Sequence, residues 1–551
     1  MSGPGVRSKL RLAMVIVLVV AAGRVGAHAP EAVAAPAVPD HRLFVVSDSV
    51  VLGAASAIHN AFGGWNVTII GRSGLFANDA AELVWNDRAA VGKVAVVAVG
   101  YNYPVWNPAL FDTWIDQMMT RVTAAGAEHV LWVTLRNLVP GQDPIRSVWE
   151  QTGIYRHYPE ANAKLVAAIA RWPQLQLVDW STVGAGQGLT WDSIHLNPTG
   201  AKLMAGLIHD EVYGIGRLAA GTELHVALPQ VDAGASAVLN ITALGARGPG
   251  FLTVHPCRSP RPDASTVNVV VGETATNLVV VPVDNGHDVC IYASEAVHVV
   301  VDLDGAIAAD AGLTAIVPHR VLDTRTVAGK PAAGTITKVA LPLPSGTAAA
   351  VLNVAVTAPD GPGYLTVYPC GDPPPDTSSV NFVAGQTIAT FTIARLTPAG
   401  EVCIRQSAST HVFVDFEGSF AASGKYLAQV PTRLLDTRSD HGAAVPAGGE
   451  RSVAFTAGTT ASLVTITADG PATPGYVTAH ACGRPRPTVS NLNPVPGRAV
   501  ANAAFVAGDQ LCVFTSTMSH LIVDRVGELP VEGFTEVGPV RLRDTRDDGI
   551  A

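Results

Sequence analysis

None of the first 250 residues is a cysteine, and charged side chains make up only 15% of the chain, against about 25% in an average protein. The formal net charge of −9 is spread along the sequence. The absence of a basic stripe excludes nucleic acid as a partner. Long apolar runs are missing too. Crossing a bilayer as a helix takes about 20 residues, and the longest apolar stretch, residues 12–22, is closed by Arg24. That stretch follows Arg7, Lys9 and Arg11 and precedes the small residues of Ala27-His28-Ala29, with a second possibility at 33–35. This is the layout of a secretory signal peptide, assigned to residues 1–29, with an Ala/Pro-rich linker over 30–40. The expected protein is secreted or extracellular, with the cell wall as a further expected setting, and has no integral membrane span after cleavage.

The chain has 551 residues and 48% apolar content. That is too long for one domain, and about three to five are expected. The six cysteines lie at Cys257, Cys290, Cys370, Cys403, Cys482 and Cys512, in pairs 33, 33 and 30 residues apart. Their recurrence favours one disulfide per repeat, as suits an exported chain. Each would close a loop worth roughly 3–4 kcal/mol. No Cys-x-x-Cys or paired histidine accompanies them, so no metal site is assigned.

Two textures divide the chain. Over 41–216, short β-branched runs (42–47, 66–71, 94–100, 129–135 and 175–180) alternate with Ala-rich stretches of helical period (77–91, 109–125 and 159–171). Continuous apolar strands separated by helices predict a parallel sheet covered on both faces, a three-layer α/β/α domain of flavodoxin-like type. From about residue 219 the helical signal is gone. Short Val-rich runs alternate with Gly/Pro turns and repeat three times. Arg320-Val-Leu-Asp-Thr-Arg325 returns with one substitution at Arg433–Arg438 and with two at Arg541–Arg546; Gly250-Phe251-Leu252-Thr253 returns with variation at Gly363 and at Gly475. The period of about 110 residues matches a β-sandwich. The expectation is three all-β, sandwich-like modules over 217–325, 326–438 and 439–551. The Asp/Arg motif is read as ion pairs that define the repeat.

In an open parallel sheet, ligands gather beyond the carboxyl ends of the strands. Those ends carry Ser47-Asp48-Ser49, Gly71-Arg72-Ser73-Gly74, Gly100-Tyr101-Asn102 and Trp191-Asp192-Ser193-Ile194-His195. A hydroxyl, a glycine turn, an amide and a carboxylate–imidazole pair thus converge on one edge. Acyl transfer needs these groups. A serine attacks an ester only with a base in hydrogen-bond reach, and the base needs an orienting carboxylate. The assignment is Ser49 as nucleophile, His195 as base and Asp192 as its partner. Candidate donors for the oxyanion are the Ser49 and Gly71 N–H groups, with Gly74 as the alternative glycine, and the Asn102 side chain. Arg72, Tyr101 and Trp191 are candidate substrate-binding residues.

The four blocks resemble the SGNH/GDSL hydrolase superfamily. Within it, Asp48-Ser49-Val50-Val51-Leu52-Gly53-Ala54 with Gly71-Arg72 is most similar to the extracellular domain of peptidoglycan O-acetyltransferases. Ser47 stands where the family usually has glycine, and Tyr103 where an acid often follows the asparagine. The β modules resemble the "LDTR" repeats of exported actinobacterial proteins, which carry no known activity. The resemblance implies a secreted serine esterase without cofactor, acting on acetyl or other short acyl esters, with an acylated polysaccharide or cell-wall glycan as partner. An O-acyltransferase using the same triad and a non-catalytic wall-binding protein are the alternatives.

Overall fold

The computed structural model describes residues 41–548 apart from 139–150, 186–187, 328, 342, 344, 440–441 and 456–459. The signal peptide and linker expected over 1–40 lie outside the described residues. Among those described, no helix is long and apolar enough to cross a membrane.

The N-terminal part is a parallel α/β domain. Its elements are β1 (Arg42–Ser47), α1 (Ser49–Leu52), α2 (Ala55–Ala61), β2 (Asn66–Gly71), α3 (Ala77–Asn86), β3 (Val94–Ala98), α4 (Leu110–Ala124), β4 (His129–Val133), α5 (Tyr158–Ala168), β5 (Leu175–Val178), α6 (Trp180–Val183) and α7 (Pro198–Val212). The strand order is β2-β1-β3-β4-β5, the doubly wound order in which the chain reverses direction between β1 and β3. Leu43, Phe44, Val45 and Val46 in β1 and Val94 to Val97 in β3 are wholly buried. Such strands cannot alternate, because helices cover both faces. α2 packs with α7, while α4 packs with both α3 and α5. Helix α7 starts where Asn197 caps the Gly200 N–H at 3.0 Å and Pro198 occupies the first turn.

The C-terminal part forms six antiparallel sheets, two per repeat, arranged as a six-bladed β-propeller. This corrects the expectation of sandwich-like modules. The reason lies in burial. All ten residues of the strand His298–Ile307 are buried, whereas a sandwich strand buries one face and wets the other. One face of its sheet meets the second sheet of the same repeat, through Leu239, Ile241, Val254 and Ile291. The other face joins a core shared by all three repeats, with Val238, Val351, Phe391, Leu463 and Phe505.

Strand exchange closes the ring. The strand Leu313–Asp323, which ends the first repeat, pairs with His411–Ala421 of the second. Leu427–Asp436 pairs likewise with His520–Pro530 of the third. The final strand Phe534–Asp544 returns to His298–Ile307 of the first. Each exchanged strand is locked by its arginine. Arg320 reaches Asp415 through Nε at 2.5 Å and Nη2 at 3.0 Å. Arg433 grips Asp524 and Arg541 grips Asp302 in the same way. The second arginine of each motif pairs with its own aspartate, as Arg325 does with Asp323.

Nearer the centre, Asn277 donates to Asn353 at 3.0 Å and Asn502 to Asn240 at 2.8 Å. These join the first repeat to the second and the third to the first. At the remaining junction both equivalent positions, Thr390 and Thr465, are threonine. The disulfides are Cys257–Cys290, Cys370–Cys403 and Cys482–Cys512, one in each repeat. His225 Nε2 lies 3.5 Å from Cys290 Sγ, but both sulfurs of that pair are spent in the disulfide and cannot act as thiolate ligands.

The two parts meet where α7 ends. The Tyr213 carbonyl binds His298 Nε2, Leu218 bridges to Val297, and Arg217 Nε donates to the Gly245 carbonyl at 2.9 Å.

Candidate active site

The turn after β1 holds Ser49 in place. Asp48 leaves the strand with its N–H bonded to the Ala98 carbonyl at 3.1 Å. Its carboxylate caps α1 by accepting from the Val50 N–H at 3.0 Å. Ser49 is therefore the first residue of a one-turn helix at the carboxyl edge of the sheet. Burial pushes the Asp48 carboxyl up to about 7, against the pull of the Val50, Tyr101 and Gly100 N–H groups. Its second oxygen has no hydrogen-bond partner. Ser47 is fully buried, with its hydroxyl donating to the Asp48 carbonyl at 2.8 Å.

The opposite side of the site is the loop before α7. Ser49 Oγ and His195 Nε2 are 3.0 Å apart. His195 Nδ1 lies 2.9 Å from Asp192 Oδ2, and the His195 N–H donates to Asp192 Oδ1 at 2.8 Å. The Asp192 carboxyl feels two opposed influences. Burial raises it, but the hydrogen bonds from the His195 backbone and ring and from the Ile194 N–H prevail and hold it below the usual carboxylate range. Ser193, between them, sits at φ +74°, a left-handed conformation that non-glycine residues rarely adopt.

That loop is anchored by a residue that sequence reasoning passed over. Arg136 is 3% exposed. Its Nη1 donates to the Ser193 carbonyl at 2.7 Å and its Nε to Gly184 at 2.5 Å. The signal was present, since a lone arginine directly follows the apolar run of β4, but nothing local reveals that its partner lies 57 residues away.

Gly71 ends β2 in register with Ser47. Its φ is +150°, and a Cβ there would stand 1.8 Å from the Ser47 carbonyl oxygen, so only glycine fits beside the nucleophile strand. Gly74 also has positive φ, +71°, but open space around it. Asn102 donates through Nδ2 to the Leu75 carbonyl at 3.1 Å, which leaves its second amide hydrogen for another acceptor.

The three candidate substrate contacts separate. Trp191 is 71% exposed and borders an open groove of about 820 Å³ between α2 and α7, floored by Gly53, Ala57, Leu196, Ala201 and Ala205. Arg72 is exposed and paired with Asp79 at 3.3 Å. Tyr101 is a core residue instead. Only 8% exposed, it accepts the Arg136 N–H at 2.8 Å and packs edge-on against Tyr158. The peptide that brings Asn102 to the edge turns the Tyr101 ring inward. Tyr103 is also buried, stacked on His157.

No family model matches the chain, and no curated protein does. Among solved structures, the C-terminal catalytic domain of Streptococcus pneumoniae peptidoglycan O-acetyltransferase A, bearing a methylsulfonyl adduct, is 22% identical over 31% of this chain and 92% of that one, with a TM-score of 0.25. A GDSL-like lipase from Bacteroides thetaiotaomicron is 15% identical over 31% and 87%, with a TM-score of 0.27. The psychrotrophic esterase EstA from Pseudoalteromonas is 13% identical over 31% and 97%, with a TM-score of 0.25. These are likenesses of about a third of the chain, and the functional reading stands on the side-chain geometry instead.

Proposed function

We propose that the α/β domain is a serine esterase that removes short acyl groups, acetyl above all, through an acyl-Ser49 intermediate. The observation that carries this is the continuous hydrogen-bond chain from Ser49 Oγ through His195 to Asp192, at 3.0 and 2.9 Å. His195 Nε2 takes the Ser49 proton as Oγ attacks the ester carbonyl carbon. Asp192 fixes the ring through Nδ1 and balances the imidazolium. As the carbon–oxygen bond to the alcohol breaks, His195 returns that proton to the departing oxygen. Water then repeats both steps on the acyl enzyme and releases the acid.

In the tetrahedral intermediate the charge falls on the former carbonyl oxygen. The Ser49 N–H, the Gly71 N–H and the free Asn102 amide hydrogen are its assigned donors, each worth roughly 3–4 kcal/mol. His195 keeps about a third of its side chain exposed, so water can reach the base as the acyl acceptor. Arg72 and Trp191 flank the site as the contacts for the alcohol part of the substrate, for which an acylated glycan is the proposed class. Export from the cell is the proposed setting, in keeping with the three disulfides.

The test is turnover of p-nitrophenyl acetate, butyrate and octanoate by the full chain and by Ser49→Ala. Loss of at least about 10³-fold in kcat is expected, with acetate the preferred ester. Equal turnover by parent and variant would overturn the assignment.

A further inference from the structure

The pseudo-symmetry of the propeller exposes one position where the three repeats differ in a way that points to a ligand. Each repeat places an aromatic residue at the same register of its second sheet: Phe251, Tyr364 and Tyr476. In the first repeat Phe251 packs on Tyr292, and Arg261 lies 3.7 Å over that Tyr292 ring. In the third, Tyr476 packs on Phe514, with Arg486 at 3.6 Å over Phe514. Both aromatics are thus built into a ring–ring–guanidinium stack. In the second repeat the two covering positions hold Arg405 and Pro374. Among the described residues no aromatic ring packs on Tyr364, and its hydroxyl only meets Arg405 Nη1 at 3.5 Å.

Tyr364 instead stands between two adjoining cavities of about 470 and 180 Å³ in the cleft between the second and third repeats. Together they fall within the range of small-ligand sites, about 300–1,000 Å³. Asn381 and Asp469 line both cavities and Arg438 lines the smaller. Arg438 binds Asp436 through Nε and Nη2 and Asp469 through Nη1 at 3.0 Å, so the cleft is polar but its charges are matched. At the position equivalent to Asp469 the second repeat has Thr357 instead. Beneath the smaller cavity the Thr377 and Thr467 hydroxyls are buried with no hydrogen-bond partner. Buried polar groups are normally satisfied, and spare hydrogen-bonding capacity under a cleft favours a polar occupant.

A half-buried ring bordering both cavities, a fixed carboxylate–guanidinium pair and a carboxamide, with no net charge to attract an ion, match a sugar. Sugar C–H faces lie on aromatic surface while hydroxyls both donate and accept. We propose that this cleft is a glycan-binding site, taking one or two residues of a neutral polysaccharide, with a ring face on Tyr364 and hydroxyls on Asp469, Asn381 and Arg438. The site is independent of the esterase reading and would keep the α/β domain close to a polymeric substrate.

The experiment is calorimetric titration of the full chain with cellotetraose, chitotetraose and α-1,6-mannotetraose. None carries an ester, so Ser49 chemistry does not intervene. At least one is expected to bind with a Kd of about 1 mM or tighter. Tyr364→Ala and Asp469→Asn should each weaken that binding tenfold or more. Tyr364→Phe, which keeps the ring, should retain it, as should Tyr476→Ala at the equivalent position, which is exposed and lines neither cavity. Turnover of p-nitrophenyl acetate should be unchanged in all four, which separates this result from the fate of the esterase assignment. Absence of binding by all three probes, or equal loss in Tyr476→Ala, would overturn the proposal.

Discussion

Two motifs in this chain are built from the same parts and do different things. Asp192-Ser-Ile-His195 in the α/β domain and Arg433-Leu-Leu-Asp436-Thr-Arg438 in the propeller each pair a carboxylate with a basic group three residues away. In the propeller every charge is spent. Asp436 is held by both arginines, and Arg433 is turned onto the buried Asp524 of the neighbouring strand. In the α/β domain the carboxylate is spent on only one side of the imidazole, and the other ring nitrogen faces a serine hydroxyl at a partly open surface. An imidazole with one committed and one available nitrogen can move a proton; a guanidinium stays protonated and, fully committed, holds two strands together. The difference follows from the chemistry of the basic group and from what the tertiary fold places beyond it, since the spacing within the two motifs is alike.

The strongest way to break that contrast is to show that the two motifs fail in the same manner. His195→Ala is expected to lower kcat for p-nitrophenyl acetate roughly 10³–10⁶-fold, with the thermal midpoint essentially unmoved. Arg433→Ala should do the reverse. It strands the buried Asp524, and breaking a buried pair costs about 3–5 kcal/mol, read as a lower urea midpoint with ester turnover intact below the transition. If Arg433→Ala abolished turnover in the folded protein, the division of labour would be wrong.

A third prediction concerns the buried acid beside the nucleophile. Asp48 has its carboxyl raised from an ordinary value near 3.8 to about 7 by burial. A raised acid destabilises the fold as pH climbs, because the unfolded chain ionises first. The loss begins near pH 4 and is complete above about pH 7. Asp48→Asn removes it. The variant should match the parent near pH 3.5 and exceed it at pH 8 by up to about 4 kcal/mol, the equivalent of some three pH units at 1.36 kcal/mol each. Chemical denaturation at the two pH values decides it, and a constant difference would sink the idea.

The smallest effect is expected in the propeller. Replacing both Cys482 and Cys512 by Ala opens a loop of 30 residues and should cost about 3 kcal/mol. Esterase turnover should persist, since no part of the Ser49–His195–Asp192 chain rests on the third repeat.

Much of the site was legible because its blocks are local. The candidates Ser49 and Asn102 lie just past β1 and β3, and a parallel sheet delivers such positions to one edge; Asp192 and His195 lie well beyond β5, in the loop before α7, and were legible from their own spacing. Tyr101 shows the limit. It lies next to Asn102 and is a substrate-binding candidate by sequence, yet neighbouring side chains at a strand end point in different directions, and its ring lies in the core. Arg136 shows the complementary limit, for its role depends on Ser193 and Gly184, which no local pattern connects to it. The repeats were legible as repeats and misread as sandwiches, because the Val-rich runs that signal strands do not say how many of their faces will be covered.

By itself, the sequence determined the parallel α/β texture of the first part, the all-β texture of the rest, the threefold period and the pairing of cysteines within each period. These are properties of short windows, set by side-chain spacing and turn chemistry. Only the tertiary structure decided that each repeat lends its last strand to the next, that Arg541 closes the ring on an aspartate 239 residues earlier, and that Tyr364 borders a cleft between two repeats. Tyr364 differs from Phe251 and Tyr476 in having, among the described residues, no ring packed on it, although it is the least exposed of the three. Those outcomes depend on which surfaces meet after the chain has folded back on itself, and burial on both faces of a strand is a sum over distant neighbours that no local window contains.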